Sequence, residues 1–426
     1  MERGDHLYRQ YIRILQEELK PAMGCTEPIA LALAGAKARQ VLGALPDRVE
    51  LHVSGNIIKN VKSVVVPNTG GLHGISAAVC AGIVAGDPLQ ELQVISTIPK
   101  DRQEEIRAYM DQVDLSIEPA DSGLVFDIDL RIYQGEDSVR LRVVNHHTNV
   151  VLIERNGEIL LSHPVAECPE DSLTDKSCLS VENIVKFADV LDVRDIEDTV
   201  GVQIEKNMDI AREGLQQDWG ANIGSVIMKH QGSTLSKRAC AYAAAGSDAR
   251  MSGCEKPVII VSGSGNQGIT ASVPVAVYAQ ELGCSRDQML RAVALSDLIT
   301  LHQKSGIGRL SAYCGAISAG CGAGAGIAYL LGGDEKAIAH TVVNAIAILS
   351  GTICDGAKPS CAAKIAAAVD AGVLGYHMYL DKQEFLSGDG IVTKGVDNTV
   401  HNVGILAREG MRETDRTILE IMLRSC

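Results

Sequence analysis

The sequence predicts an α+β N-terminal domain with a mixed sheet, followed by a mainly α-helical domain. Three observations predict it. Apolar and polar residues alternate in short runs between residues 49 and 161, the pattern of half-buried strands. From about residue 180 to the end the apolar residues follow a helical period, broken by glycine at 220–224, 263–268, 306–308, 331–333 and 351–356. Between the two textures, residues 163–180 are polar, contain two prolines and several acidic residues, and read as a linker.

In chain order, Leu7, Tyr8, Tyr11, Ile12, Leu15 and Leu19 mark a helix over residues 6–20. A loop follows, Lys20-Pro21-Ala22-Met23-Gly24-Cys25-Thr26-Glu27-Pro28, with Thr26 as N-cap and Pro28 in the first turn of a helix reaching about residue 42. Strands are expected at 49–53, 126–132 and 139–143, with a hairpin of 150–153 and 158–161 turning at Asn156-Gly157. Helices at about 71–85 and 102–113 complete this part. The boundaries read as 1–45 for N-terminal helices with a substrate loop, 46–170 for the α+β domain and 171–426 for the helical domain, which would carry the catalytic centre. No fixed-period repeat is visible.

Composition narrows the class. A chain of 426 residues allows two or three domains at about 150 residues each. Hydrophobic residues make up 46% but aromatics only 3%, so the cores must be built from Ala, Val, Ile and Leu, which lets helices approach closely. The net charge of −14 argues against nucleic acid or an anionic membrane as partner. No run of about 20 apolar residues is free of charges and breakers, and the start is polar, so a cytoplasmic location is expected. A small-molecule substrate and, compatibly, a homo-oligomer remain.

Twelve cysteines without a CxxC pair point away from a zinc ribbon. Cys80, Cys240 and Cys321 sit in small apolar runs and read as buried fillers. Cys168, Cys178, Cys254 and Cys284 have no matching partner. Cys314 (Tyr313-Cys314-Gly315), Cys354 (Ile353-Cys354-Asp355-Gly356) and Cys361 (Pro359-Ser360-Cys361) each occupy a tight, small-residue setting. Thiolates are the usual ligands of iron–sulfur clusters, and three of them leave one iron open as a Lewis acid.

Val258-Ile259-Ile260-Val261 followed by Gly263-Ser264-Gly265-Asn266-Gln267-Gly268 matches a dinucleotide fingerprint on paper. That motif also needs a second strand and an acidic residue about 20 positions on, and the sequence offers no such strand. The turn reads instead as a tight interhelical connection, or as an anion seat in which Ser264, Asn266 and backbone amides face a substrate carboxylate.

Taken together, these stretches resemble the L-cysteine desulfidase family of the UPF0597 type, relatives of the iron–sulfur L-serine dehydratases. The resemblance spans nearly the whole chain and is most specific at Pro21–Pro28, Ser54-Gly55-Asn56, Asn68-Thr69-Gly70-Gly71, the turn at 262–268 and the segments of Cys314, Cys354 and Cys361. It implies a PLP-independent lyase with a [4Fe–4S] cluster on Cys314, Cys354 and Cys361. In serine dehydratases the N-terminal loop reads Ser-Ser-Ser-His-Thr-x-Gly-Pro. Cys25 replaces the histidine here, and this favours cysteine over serine as substrate. Six residues separate Cys354 from Cys361, fewer than in the dehydratase pattern.

The expected reaction is β-elimination from L-cysteine to sulfide, ammonia and pyruvate, with L-serine dehydration as the alternative. It requires a base for the α-proton, stabilisation of the developing charge and activation of the leaving group. An open iron serves the last two needs. Cys25 is the candidate base, its thiol lowered by the helix N-terminus and by a cation among Lys20, Lys59, Lys62 and His73. Thr26, Glu27, Asn56, Lys59, Asn68, Thr69, His73, Ser264 and Asn266 are the candidates for holding the amino acid, although Asn68 and Thr69 equally suit turn capping. Lys358 would pair with cluster charge or a carboxylate. A terminal Cys426 could reach the open iron, or simply fray. A PLP-dependent lyase and a non-enzymatic cluster or redox sensor are the rival classes.

Overall fold

The computed structural model describes residues 1–165, 173–308 and 311–424. The expected linker, Cys168 and the boundary at 170/171 fall wholly or partly outside them, as does Cys426. Helix α1 (His6–Glu18) is followed by strand β1 (Pro21–Met23) and α2 (Thr26–Leu42). Next come β2 (Arg48–Val53), α3 (Gly55–Val61), α4 (Gly74–Ala85) and α5 (Arg102–Gln112). Strands β3 (Asp114–Pro119), β4 (Asp127–Gln134), β5 (Asp137–Val144), β6 (Val150–Arg155) and β7 (Glu158–Ser162) close the first half.

β2 to β7 form a six-stranded sheet in the order β3-β2-β4-β5-β6-β7. β2 and β3 pair parallel through the crossover of α3 to α5, and the other neighbours pair antiparallel, so the sheet is mixed as expected. Leu51 opposes Leu130, and Leu130 opposes Leu141, on the buried face covered by α2, with α4 packed against α2. The other face is polar, where Arg140 grips Asp129 and Arg142 grips Asp127 through paired nitrogens. Asn156 and Gly157 adopt φ of 51° and 84°, the turn that the hairpin requires. β3 escapes the sequence pattern because this edge strand is mostly exposed and does not alternate.

The second half is helical: α6 (Val181–Val190), α7 (Val202–Gln216), α8 (Ile223–His230) and α9 (Leu235–Met251), then strand β8 (Pro257–Ile259). After it come α10 (Gly265–Glu281), α11 (Arg286–Ile307), α12 (Gly315–Leu330), α13 (Glu335–Leu349), α14 (Ser360–Leu380), α15 (Val396–Ile405) and α16 (Arg412–Arg424). α12, without a single charged residue, packs among α10, α11, α13 and α14, where a helix apolar all round belongs. Its close fit to α14 depends on missing side chains: a Cβ on Gly324 would stand 2.7 Å from the backbone of Gly372. Among the described residues no helix is long and apolar enough to cross a membrane.

The N-terminal segment is shared between the two halves. Tyr8 and Tyr11 of α1 pack on Phe187 of α6 at 5.3 and 5.2 Å, in the helical core. α2 belongs to the core of the sheet. The loop between them is tied to the helical half by β1 and β8, which pair antiparallel from Pro21–Ile259 to Met23–Pro257. β8 thus joins a two-stranded sheet and no nucleotide-binding one, which removes the dinucleotide reading of the glycine motif.

Candidate active site

The antiparallel β1–β8 pair sends the chain out at opposite ends, β1 beside Pro257 and β8 beside Pro21. The two turns that follow still meet, because Thr26 Oγ1 donates to the Gly263 carbonyl at 3.0 Å. Gly24 adopts φ 59° and faces Pro67, which a Cβ would approach to 2.5 Å. Ser262, a non-glycine residue, is held at φ 49°, a strained setting of the kind found at functional sites. Cys25, not Thr26, is the N-cap of α2, and Thr26 is its first helical residue.

A second pairing sets the cluster cysteines. Tyr313 and Ile353 form an antiparallel bridge, the Cys314 amide donates to Thr352 O at 3.0 Å, and the Cys354 amide donates to Ala312 O at 2.6 Å. Cys314 is the N-cap of α12, and Cys361 lies in the first turn of α14. Lys358 and Lys364 both pair with Asp355, and this holds its carboxyl down at about 2 despite partial burial. Lys358 is therefore used inside the loop between two cysteines. Lys364 lies within electrostatic reach of Cys314 and Cys361.

The two pairings and α3 enclose one cavity of about 110 Å3. A bound water needs about 10–15 Å3 on that measure, so the space suits a small polar molecule. Cys25, Thr26, Glu27, Asn56, Lys59, Ser264, Asn266, Cys314, Cys354 and Cys361 all line it. Asn68, Thr69 and His73 do not. Asn68 Nδ2 donates to the carbonyls of Ile95 and Ser96, Thr69 Oγ1 donates to Val66 O, and exposed His73 is the N-cap of α4. The structure spends the two polar side chains on turns.

Residues that sequence reasoning missed also line the cavity, among them Asn60, His147, Arg250, Gln267 and Lys304. Arg250 carried one legible signal: it is a charged residue in an Ala-rich helix. His147 arrives from the sheet half through folding alone.

Cys25 is buried at 3% exposure and its Sγ donates to Glu27 Oε2 at 3.1 Å. Burial first, then Glu27, push the thiol well above its ordinary range, while Arg250 pulls it down. The expected lowering by a lysine or His73 is not what the fold provides: Arg250 is the cation, and burial outweighs it. Burial also raises Glu27, but His147, the Cys25 thiol and Arg250 together hold it below the ordinary carboxylate range. Its oxygens have protein donors: Oε2 takes the Cys25 thiol and competes with Gly263 O for the one Thr26 hydroxyl proton, and Oε1 accepts from Asn60 at 3.0 Å. Glu27 therefore orients Cys25 and has little left for a substrate. Lys59, 3% exposed, pairs with Asp415 of α16, and Asn56 Oδ1 is buried with no partner among the described residues.

Three thiols on one wall fit an iron–sulfur cluster by donor type. Among the described residues no three His, Cys, Asp or Glu side chains meet as a mononuclear metal site would require. A cubane asks for less, because each thiolate takes its own iron. Burial pushes the Cys314 thiol up to about 12, with Cys354 adding to it, so a thiolate there calls for the positive charge of a metal centre.

The family model for the serine dehydratase alpha chain matches residues 90–420, a span that includes all three of these cysteines. The chain belongs to the serine dehydratase alpha-chain family. It is similar over its whole length to a UPF0597 protein of Desulfitobacterium hafniense, with 55% identity covering 100% of this chain and 99% of that one. A UPF0597 protein of Lachnoclostridium phytofermentans is 47% identical over 98% and 100% of the two chains. One of Treponema denticola is 40% identical over 98% of each. The resemblance read from the motifs is thereby shown, and membership supports a lyase of the iron–sulfur serine dehydratase type. Cys25 lies outside the family match but inside these full-length ones.

Proposed function

We propose that the chain is a PLP-independent [4Fe–4S] lyase that eliminates sulfide from L-cysteine, leaving 2-aminoacrylate that hydrolyses to pyruvate and ammonia. The observation that carries this reading is the convergence of Cys314, Cys354 and Cys361 with the Cys25–Glu27 pair on one small cavity. When bound, the cluster would supply an iron without a protein ligand, a Lewis acid for the leaving atom and the developing charge.

The protein's own part starts with the Cys25–Glu27 pair. One proton is held between them, resting on sulfur. Passing it to Glu27 frees the thiolate to take the substrate α-proton, so the pair and not the lone thiol is the base. Arg250 assists by favouring the charged thiol. Asn56, with its unpartnered Oδ1, is placed to accept from the substrate ammonium. Burial of the cavity walls excludes bulk water, which strengthens each of these interactions.

Anaerobically purified protein is expected to be brown, with about four iron and four sulfide per chain. Cys314→Ala, Cys354→Ala and Cys361→Ala should each lose the colour. Sulfide release from cysteine should far exceed pyruvate release from serine. Colourless protein with full activity would sink the cluster reading, activity that depends on added PLP would replace it, and a reversed substrate ratio would make the chain a serine dehydratase.

A further inference from the structure

Arg250 is more than a source of field. It lies in the last turn of α9, is 2% exposed, and lines the cavity. Its Nη1 donates to Asn266 Oδ1 at 3.1 Å, but its buried Nε has no partner among the described residues. A buried guanidinium short of acceptors is costly. The group is pressed against the start of α10: a Cβ on Gly265 would stand 2.3 Å from Arg250 Nε. This 17-residue helix offers first-turn amides that no helix can satisfy internally and the positive end of its dipole, and Asn266 in that turn lines the cavity. Two positive centres thus face the same small space. Glu27, the acidic side chain within reach, has its oxygens taken by Cys25 and Asn60.

We propose that Arg250 and the N-terminus of α10 together seat the α-carboxylate of the substrate. The guanidinium fork matches a planar carboxylate. The assignment rests on the reading that the cavity takes a 2-amino acid. A carboxylate held by these protein groups would leave the open iron of a bound cluster to act on the β-leaving atom. Gly265 is then a specificity element, since any side chain there would displace the guanidinium.

Equilibrium binding of L-alanine tests it, because alanine has the carboxylate and ammonium but no leaving group. Ethylamine is the control without a carboxylate. Anaerobic full-length protein and the same protein after iron removal should both bind L-alanine. Arg250→Met and Gly265→Ala should weaken it by about tenfold or more, the scale of one charge-assisted hydrogen bond, and leave ethylamine unchanged. If Arg250→Met does not fold, Gly265→Ala carries the test, since its added methyl meets side-chain atoms of Arg250 and Val258. Wild-type affinity in the variants, or alanine binding that vanishes with iron and ignores Arg250, would overturn the seat. Arg250-dependent alanine binding without cysteine or serine turnover would uphold the seat and sink the proposed reaction. Turnover with an unchanged KM in Gly265→Ala would do the reverse.

Discussion

Two buried carboxyls in this chain show how place decides charge. Glu27 is held below the ordinary carboxylate range because Cys25 and Asn60 donate to it and His147 and Arg250 lie close. Cys25→Ala should keep its iron and lose kcat by about 100-fold or more, the usual scale for a general base. Glu27→Gln should do the same, because the thiol then has nowhere to send its proton; an active Glu27→Gln enzyme would return the base role to Cys25 alone. Asp297 is the opposite case. It is fully buried, its Oδ1 accepts from Gln203 Nε2 at 2.9 Å, and burial raises it to about 8. The unfolded carboxyl titrates near 3.9, so between about pH 4 and 8 the folded state binds the extra proton and stability falls as pH rises. Asp297→Asn keeps the Gln203 bond and cannot ionise. Its melting temperature should exceed that of wild type at pH 8 and lose that part of the slope; an unchanged slope would show that Asp297 is already ionised. Cys25 was legible as a functional residue because it broke a familiar loop pattern. Glu27 was named beside it, but Asn60, His147 and Arg250 were not, because they reach the Cys25–Glu27 pair only through contacts between distant segments.

At the scale of elements, α16 acts as a strap across α3. Asp415 pairs with Lys59, Lys62 Nζ donates to Met422 O at 2.7 Å, and Leu419 lies where a side chain on Gly55 would go. Because α3 carries Asn56, Lys59 and Asn60 into the cavity, the strap positions one wall of the site from behind. Asp415→Asn should raise KM while iron content stays constant. Its stability cost should be about 1–3 kcal/mol, below the ~3–5 of a fully buried pair, because Asp415 is 28% exposed. Unchanged steady-state kinetics would reduce the strap to a packing contact. The strands β2, β4 and β5 were readable from alternation, since one face meets helices and the other meets water. The strap was not readable, because nothing local to Asp415 announces that its partner lies 356 positions away.

At the scale of the molecule, the scarcity of aromatic side chains and the abundance of glycine become one design. α12 and α14 touch through Gly320, Gly324, Ala368 and Gly372. The same two helices begin beside Cys314 and Cys361, so the distance between two sulfur atoms depends on backbones that nearly meet. Gly324→Ala should cost about 1–3 kcal/mol by overpacking and should lower the iron retained per chain. A destabilised variant with full iron would uncouple the two. The small-residue composition foretold close helices, but not that their spacing would set a ligand distance. The site as a whole joins the loop at Cys25, paired through β1 to β8, with cysteines far along the chain. A ribosome therefore makes the proposed base early and the proposed ligands late, and a nascent chain stays without a reactive centre until Cys361 has emerged and found its place.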